Sequence, residues 1–272
     1  MKYYLYISTI LICLLISITA GCAKATTPSE YAPNLTAQRE ILVQISTVDA
    51  ILNGVYDGVV DFGTLKKYGD FGIGTFEGLD GEMVGFDGNF FQIRADGIAY
   101  PVSDSMETPF AAVTFFEVDY EETIPAAFDY DQTQKLFDNT LPTENIFYAI
   151  KIQGTFSHMK TRSVPGQQKP YPPLFEVTKN QPVFEFANID GTLVGFRCPV
   201  YVAGINVPGY HLHFLAKGNN TGGHVLEFKV TEAVVLIDYT SKFLMVLPDE
   251  ESGFYELDLT QDKQLELEEA ER

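Results

Sequence analysis

The chain has no tryptophan, three cysteines, four histidines and 18 basic side chains against 37 acidic ones in 272 residues. Each shortage excludes something. Cys13 and Cys22 fall in the first 22 residues, so Cys198 is the one thiol in the body of the chain and no intrachain disulfide can brace it. The core must be held by apolar burial, for which 21 Phe and 15 Tyr are available. Removing an N-terminal signal takes away Lys2 and leaves 17 − 37, a charge of −20. A surface of that sign repels phosphate backbones, and there is no basic stripe, so nucleic acid is excluded as a partner. The acidity itself implies no more than solubility. Gly-x-Ser-x-Gly elbows, phosphate loops and dinucleotide fingerprints are all missing.

The start of the chain reads as an export signal. Met1-Lys2 gives a short positive start, Tyr3 to Ile18 is almost wholly apolar, and Thr19-Ala20-Gly21-Cys22 closes it with small residues. Cys22 after Ala-Gly resembles a lipoprotein acylation site, with Thr19 standing where leucine is usual. The expectation is a signal over 1–21, a lipid anchor at Cys22 or simple cleavage nearby, and a flexible tether over 22–34. The location expected is outside the cytoplasm, membrane-anchored or secreted.

Three of the four histidines lie in one fourteen-residue window, as His211, His213 and His224. On a strand, residues two apart share a face. His211 and His213 therefore project together, while Tyr210, Leu212 and Phe214 face the other way. Lys217 to Gly223 is a turn by composition, which returns the chain so that His224 comes up beside the pair. Three imidazoles with a fourth position open is the pattern of catalytic zinc, whereas structural zinc sites are closed by four ligands. Three histidines also suit copper, iron, nickel or manganese. His158, outside the window, is read without a metal role.

Phe76-Glu-Gly-Leu-Asp-Gly-Glu-Met-Val-Gly-Phe86 and Phe186-Ala-Asn-Ile-Asp-Gly-Thr-Leu-Val-Gly-Phe196 match at six of eleven positions, at an offset of 110. Asp-Gly between apolar runs signals a hairpin, so the same hairpin is expected twice, through internal duplication. The fold class expected is α+β: two similar sheet-centred halves, mixed or antiparallel, with few helices. The halves span 35–143 and 144–259, the second carrying the histidines, followed by a charged helical tail over 260–272. A helix is expected over 36–53, capped by Thr36 with an apolar stripe through Ile41, Val48 and Leu52. A second short helix within 58–67 and a helical turn at 131–136 are also expected. Strands are expected at 71–76, 82–86, 89–94, 98–101, 111–119, 147–156, 192–196, 208–216, 224–238 and 242–247.

These segments together resemble α-acetolactate decarboxylase. The resemblance rests on Gly74-Thr75-Phe76, Leu79-Asp80-Gly81-Glu82, Gly154-Thr155-Phe156 with Lys160-Thr161-Arg162, Pro170-Tyr171, and the Gly-Tyr-His-Leu-His-Phe hairpin closing at His224. It runs from about Ile45 to the end of the chain. It implies a zinc-dependent lyase converting 2-acetolactate to acetoin and carbon dioxide, in a two-domain α+β homodimer. By the same resemblance His211, His213 and His224 would bind zinc. Glu82 and Arg162 would be active-site residues, and Thr75 would line the pocket. A further glutamate near the end would be Glu271, with Glu268 next.

Two rival readings stand beside this one. A cupin-like metal enzyme also starts from His-x-His, but its glutamate ligand follows within a few residues. Here no acid comes until Glu227. An exported metal-binding lipoprotein would explain the signal and the histidines but not the placement of Glu82 and Arg162.

Overall fold

The computed structural model describes residues 40–271. The expected signal, Cys22 and tether lie outside the described residues. The first group of strands is β1 (Ile41–Ile45), β2 (Val60–Asp61), β3 (Phe71–Thr75), β4 (Glu82–Phe86), β5 (Asn89–Ile93), β6 (Ala99–Pro101), β7 (Glu107–Thr108), β8 (Ala111–Thr114) and β9 (Tyr120–Ile124). The second is β10 (Phe147–Arg162), β11 (Val183–Cys198), β12 (Gly209–Ala216), β13 (Gly222–Thr240) and β14 (Lys242–Val246). The helices are short: α1 (Val48–Leu52), α2 (Phe62–Leu65), α3 (Tyr130–Thr140), α4 (Leu174–Thr178) and α5 (Gln264–Glu271). The fold is α+β and dominated by its sheets.

One sheet runs β14-β1-β8-β3-β4-β5-β6. Its β1–β14 pair is parallel and its other pairs are antiparallel. The other runs β10-β11-β12-β13-β9, and β10 also pairs β13, so the four long strands close into a ring. Each sheet borrows a strand across the expected midpoint: β14 joins the first and β9 the second. Between the sheets lies a layer in which Leu42, Phe71 and Val84 of the first meet Phe147, Phe196 and Leu215 of the second. Inside the ring, Phe156 packs edge-on to Phe214 and Phe228, each centroid pair 5.8 Å apart. Each fully buried phenylalanine contributes about 1.5–3 kcal/mol.

Two expectations about local structure are corrected. The segment 36–53 is not one helix. Ile41–Ile45 is strand β1, buried throughout between β14 and β8, and only Val48–Leu52 is helical, capped by Thr47. A run buried on both faces loses the alternation that marks a strand, so its apolar pattern also fits a helix. The second Asp-Gly is not a hairpin either. Asp190 and Gly191 lie in mid-strand in β11, which continues unbroken for 16 residues. Gly191 is small because any side chain there would strike the Phe214 ring. The first copy does turn, through Gly81 at φ +93°.

Candidate metal centre

The histidine strand β12 alternates as its sequence requires. Leu212 and Phe214 are buried in the ring core, and His211 and His213 project from the opposite face. The chain turns through Gly218 and Asn219, both at positive φ, and returns as β13. Register sets His213 directly opposite His224. The three rings converge: His211 Nε2 lies 3.1 Å from His213 Nε2 and 3.1 Å from His224 Nδ1. His158 is elsewhere, on the surface beside Glu227.

Hydrogen bonding fixes what the converging nitrogens carry. His213 Nδ1 is 2.7 Å from the Met83 carbonyl, which can only accept, so the proton sits on Nδ1 and Nε2 presents a lone pair. His224 Nε2 is 3.2 Å from the Glu271 carbonyl, which likewise leaves Nδ1 as a lone pair. Burial pushes all three imidazoles below their ordinary basicity, His211 to about 3, so each is neutral and in ligand form. At least two lone pairs thus point at one spot, an arrangement that repels itself unless a cation stands between them. Tetrahedral nitrogens about 2.05 Å from zinc are about 3.3 Å apart, close to the spacing here. The residues fit a metal, and among the described residues they are the only cluster of that kind.

Three charged groups share the pocket. The Thr75 hydroxyl donates to the Gly81 carbonyl at 2.7 Å and pins the turn that delivers Glu82 to the start of β4. Arg162 ends β10, in register opposite His224. Its Nη1 donates to Glu82 Oε1 at 2.9 Å and its Nη2 donates to the Ala270 carbonyl at 2.7 Å. Its Nε is buried with no hydrogen-bond partner. Glu82 Oε2 is 3.6 Å from His213 Nε2. Glu271, at the end of α5, places Oε2 3.6 Å from His211 Nε2 and 3.7 Å from His224 Nε2. Burial pushes the Glu82 carboxyl up to about 7, against the pull of the Arg162 guanidinium and with a further push from Glu271. Glu271 is raised by burial too.

The structure therefore brings His211, His213, His224, Thr75, Glu82, Arg162 and Glu271 around one cavity. Glu268 is not among them. It faces the outer groove, accepting from Gln264 at 3.1 Å. Cys198 is buried between the sheets, its thiol pushed up to about 12 by burial, and takes no part. Sequence reasoning missed the cavity's apolar wall of Val48, Ile51, Leu79, Phe110, Val164, Leu174 and Val207. It also missed the Met83 and Ala270 carbonyls, for which no side-chain signal exists.

Fold and site together define a class: a sheet-built protein with a buried three-histidine centre flanked by an arginine and two glutamates. The sequence matches the alpha-acetolactate decarboxylase family over residues 42–261. It is 51% identical to alpha-acetolactate decarboxylase of Methanosarcina mazei over 86% of this chain and 81% of that one. It is 45% identical to that of Bacillus subtilis strain 168 over 76% and 82% respectively. The crystal structure of alpha-acetolactate decarboxylase from the same Bacillus strain aligns with a TM-score of 0.82 at 42% identity, covering 85% of this chain and 98% of that one. The chain belongs to the alpha-acetolactate decarboxylase family. It is an enzyme of that family, a carboxy-lyase.

Proposed function

We propose that the protein converts 2-acetolactate to acetoin and carbon dioxide, with zinc held by His211, His213 and His224. The observation that carries this is the convergence of imidazole lone pairs beside Arg162 and Glu82 in one buried pocket. Zinc, when bound, supplies Lewis acidity for a ketone and hydroxyl that can chelate it through a five-membered ring. Loss of carbon dioxide from a 3-oxo acid leaves an electron pair that the neighbouring ketone takes up as an enediolate, so no organic cofactor is needed.

Arg162 binds the substrate carboxylate through its planar fork, which suits a two-oxygen acceptor. Its unpartnered Nε supports this role, since a buried N–H without an acceptor is costly. Glu82 then delivers a proton to one face of the enediolate. Its raised carboxyl holds a proton near neutrality, as a general acid must. Glu271, on the far side of the histidines, is the second acid within reach. The apolar wall receives the substrate's two methyl groups and keeps water from the electron pair. A lipid-anchored or secreted homodimer is the form we propose for the chain. The export reading rests on residues 1–22, and the dimer on family resemblance.

The test is acetoin formation from 2-acetolactate by the purified protein, measured above the uncatalysed background. Background-level acetoin from folded, zinc-replete protein would refute the proposal.

A further inference from the structure

Helix α5 has only eight residues, four of them glutamates, and no basic residue in its last turn. Negative charge at a helix C-terminus opposes the helix dipole, and a helix this short is marginal unless its packing holds it. Packing gives little, because only Leu267 and Ala270 are buried. The helix is nevertheless docked, and the site itself docks it. Arg162 Nη2 donates to the Ala270 carbonyl at 2.7 Å, supplying the cation that the last turn lacks. His224 Nε2 holds the Glu271 carbonyl at 3.2 Å. The end of α5 is also a partition. Val207, His224 and Glu271 line both the buried cavity and the large groove outside it.

We infer that α5 is a latch held by Arg162, and that the substrate carboxylate releases it by taking the same guanidinium. This rests on the role proposed for Arg162 above. With the carboxylate on Arg162, the Ala270 carbonyl loses its donor and the last turn loses its compensating charge. The helix then undocks toward the groove, which becomes the route for substrate and product. Docking and substrate binding are thereby competitive, and linkage requires each to weaken the other.

The experiment is hydrogen exchange of the full-length, zinc-loaded protein. The probe is 2,3-dihydroxy-2-methylbutanoate, which keeps the carboxylate and tertiary hydroxyl but carries a hydroxyl in place of the ketone and cannot lose carbon dioxide. The probe should speed exchange of the α5 amides by about tenfold or more while leaving β12 unchanged. Glu269 is exposed and lies in the last turn, outside the machinery above. Glu269→Lys should favour the docked helix by about two- to fivefold and weaken apparent probe affinity by the same factor. Glu269→Gly should shift both in the opposite direction. A probe that calorimetry shows to bind while α5 exchange stays unchanged or slows would overturn the latch and leave the decarboxylase reading standing. Unaltered probe affinity in both Glu269 variants would overturn it as well. No acetoin from 2-acetolactate in the same preparation would sink the functional reading, and the latch with it.

Discussion

Arg162→Lys isolates geometry from charge. The guanidinium serves two acceptors on separate nitrogens, the Glu82 carboxylate at 2.9 Å and the Ala270 carbonyl at 2.7 Å. A lysine brings one ammonium on an unforked stem and cannot hold a carboxylate in the same two-point manner. The positive charge stays in the pocket, so the electrostatic pull on Glu82 and the histidines is largely kept. The expected loss is about one charge-assisted hydrogen bond to the substrate, roughly 1.5–3 kcal/mol. That corresponds to a fall in kcat/KM of about 10–150-fold. A rise in KM together with a fall in kcat is expected, because the carboxylate is both held more weakly and misaligned. Steady-state kinetics with 2-acetolactate gives the ratio, and metal analysis of the same sample confirms that zinc is retained. A kcat/KM within twofold of the parent, at full zinc content, would refute the role given to Arg162.

Three further outcomes are expected. Glu82→Gln keeps size and hydrogen bonding but removes the titrating proton, so turnover should fall by about 10²–10⁴-fold with zinc retained; parental rate and stereochemical purity of acetoin would make Glu82 a bystander. His211→Ala and His224→Ala should each lose stoichiometric zinc while remaining folded, by plasma mass spectrometry and circular dichroism; full zinc in either would overturn the ligand assignment. Asp238 lies away from the site, and burial, aided by Asp119, Glu40 and Asp70, raises its carboxyl from 3.8 to about 7. A raised acid contributes stability below its unfolded value that is lost as pH rises through its folded value. Asp238→Asn should therefore gain on the parent between about pH 4 and 7, by on the order of 1–2 kcal/mol after allowance for solvent screening, and a difference in melting temperature independent of pH would contradict it.

Much of the site was legible because it depends on short-range rules. The His211–His213 pair follows from strand alternation, and His224 follows from a turn whose Gly218 and Asn219 adopt the expected positive φ. Glu82 follows the Asp80-Gly81 turn. Composition gave the sheet-rich fold class. What was not legible is long-range. Nothing local reveals that β10 pairs with both β11 and β13 and so closes a ring. Strand β1 carries a continuous apolar run because both its faces are covered, and such a run reads equally as helix. Gly191 looked like a turn residue, yet it makes room for the Phe214 ring, a neighbour 23 positions away in sequence. The preference for Glu271 over Glu268 came from spacing. The structure agrees in position, because the end of α5 and not its middle meets Arg162.

The central claim is that one zinc, held by three histidines, is needed for decarboxylation of 2-acetolactate. The direct measurement is the initial rate of acetoin formation as metal is stripped with a chelator and zinc is added back, with metal content determined on each sample. The account predicts a rate proportional to occupancy, zero without metal and fully restored at one zinc per chain. Undiminished acetoin formation by folded protein free of metal would contradict it.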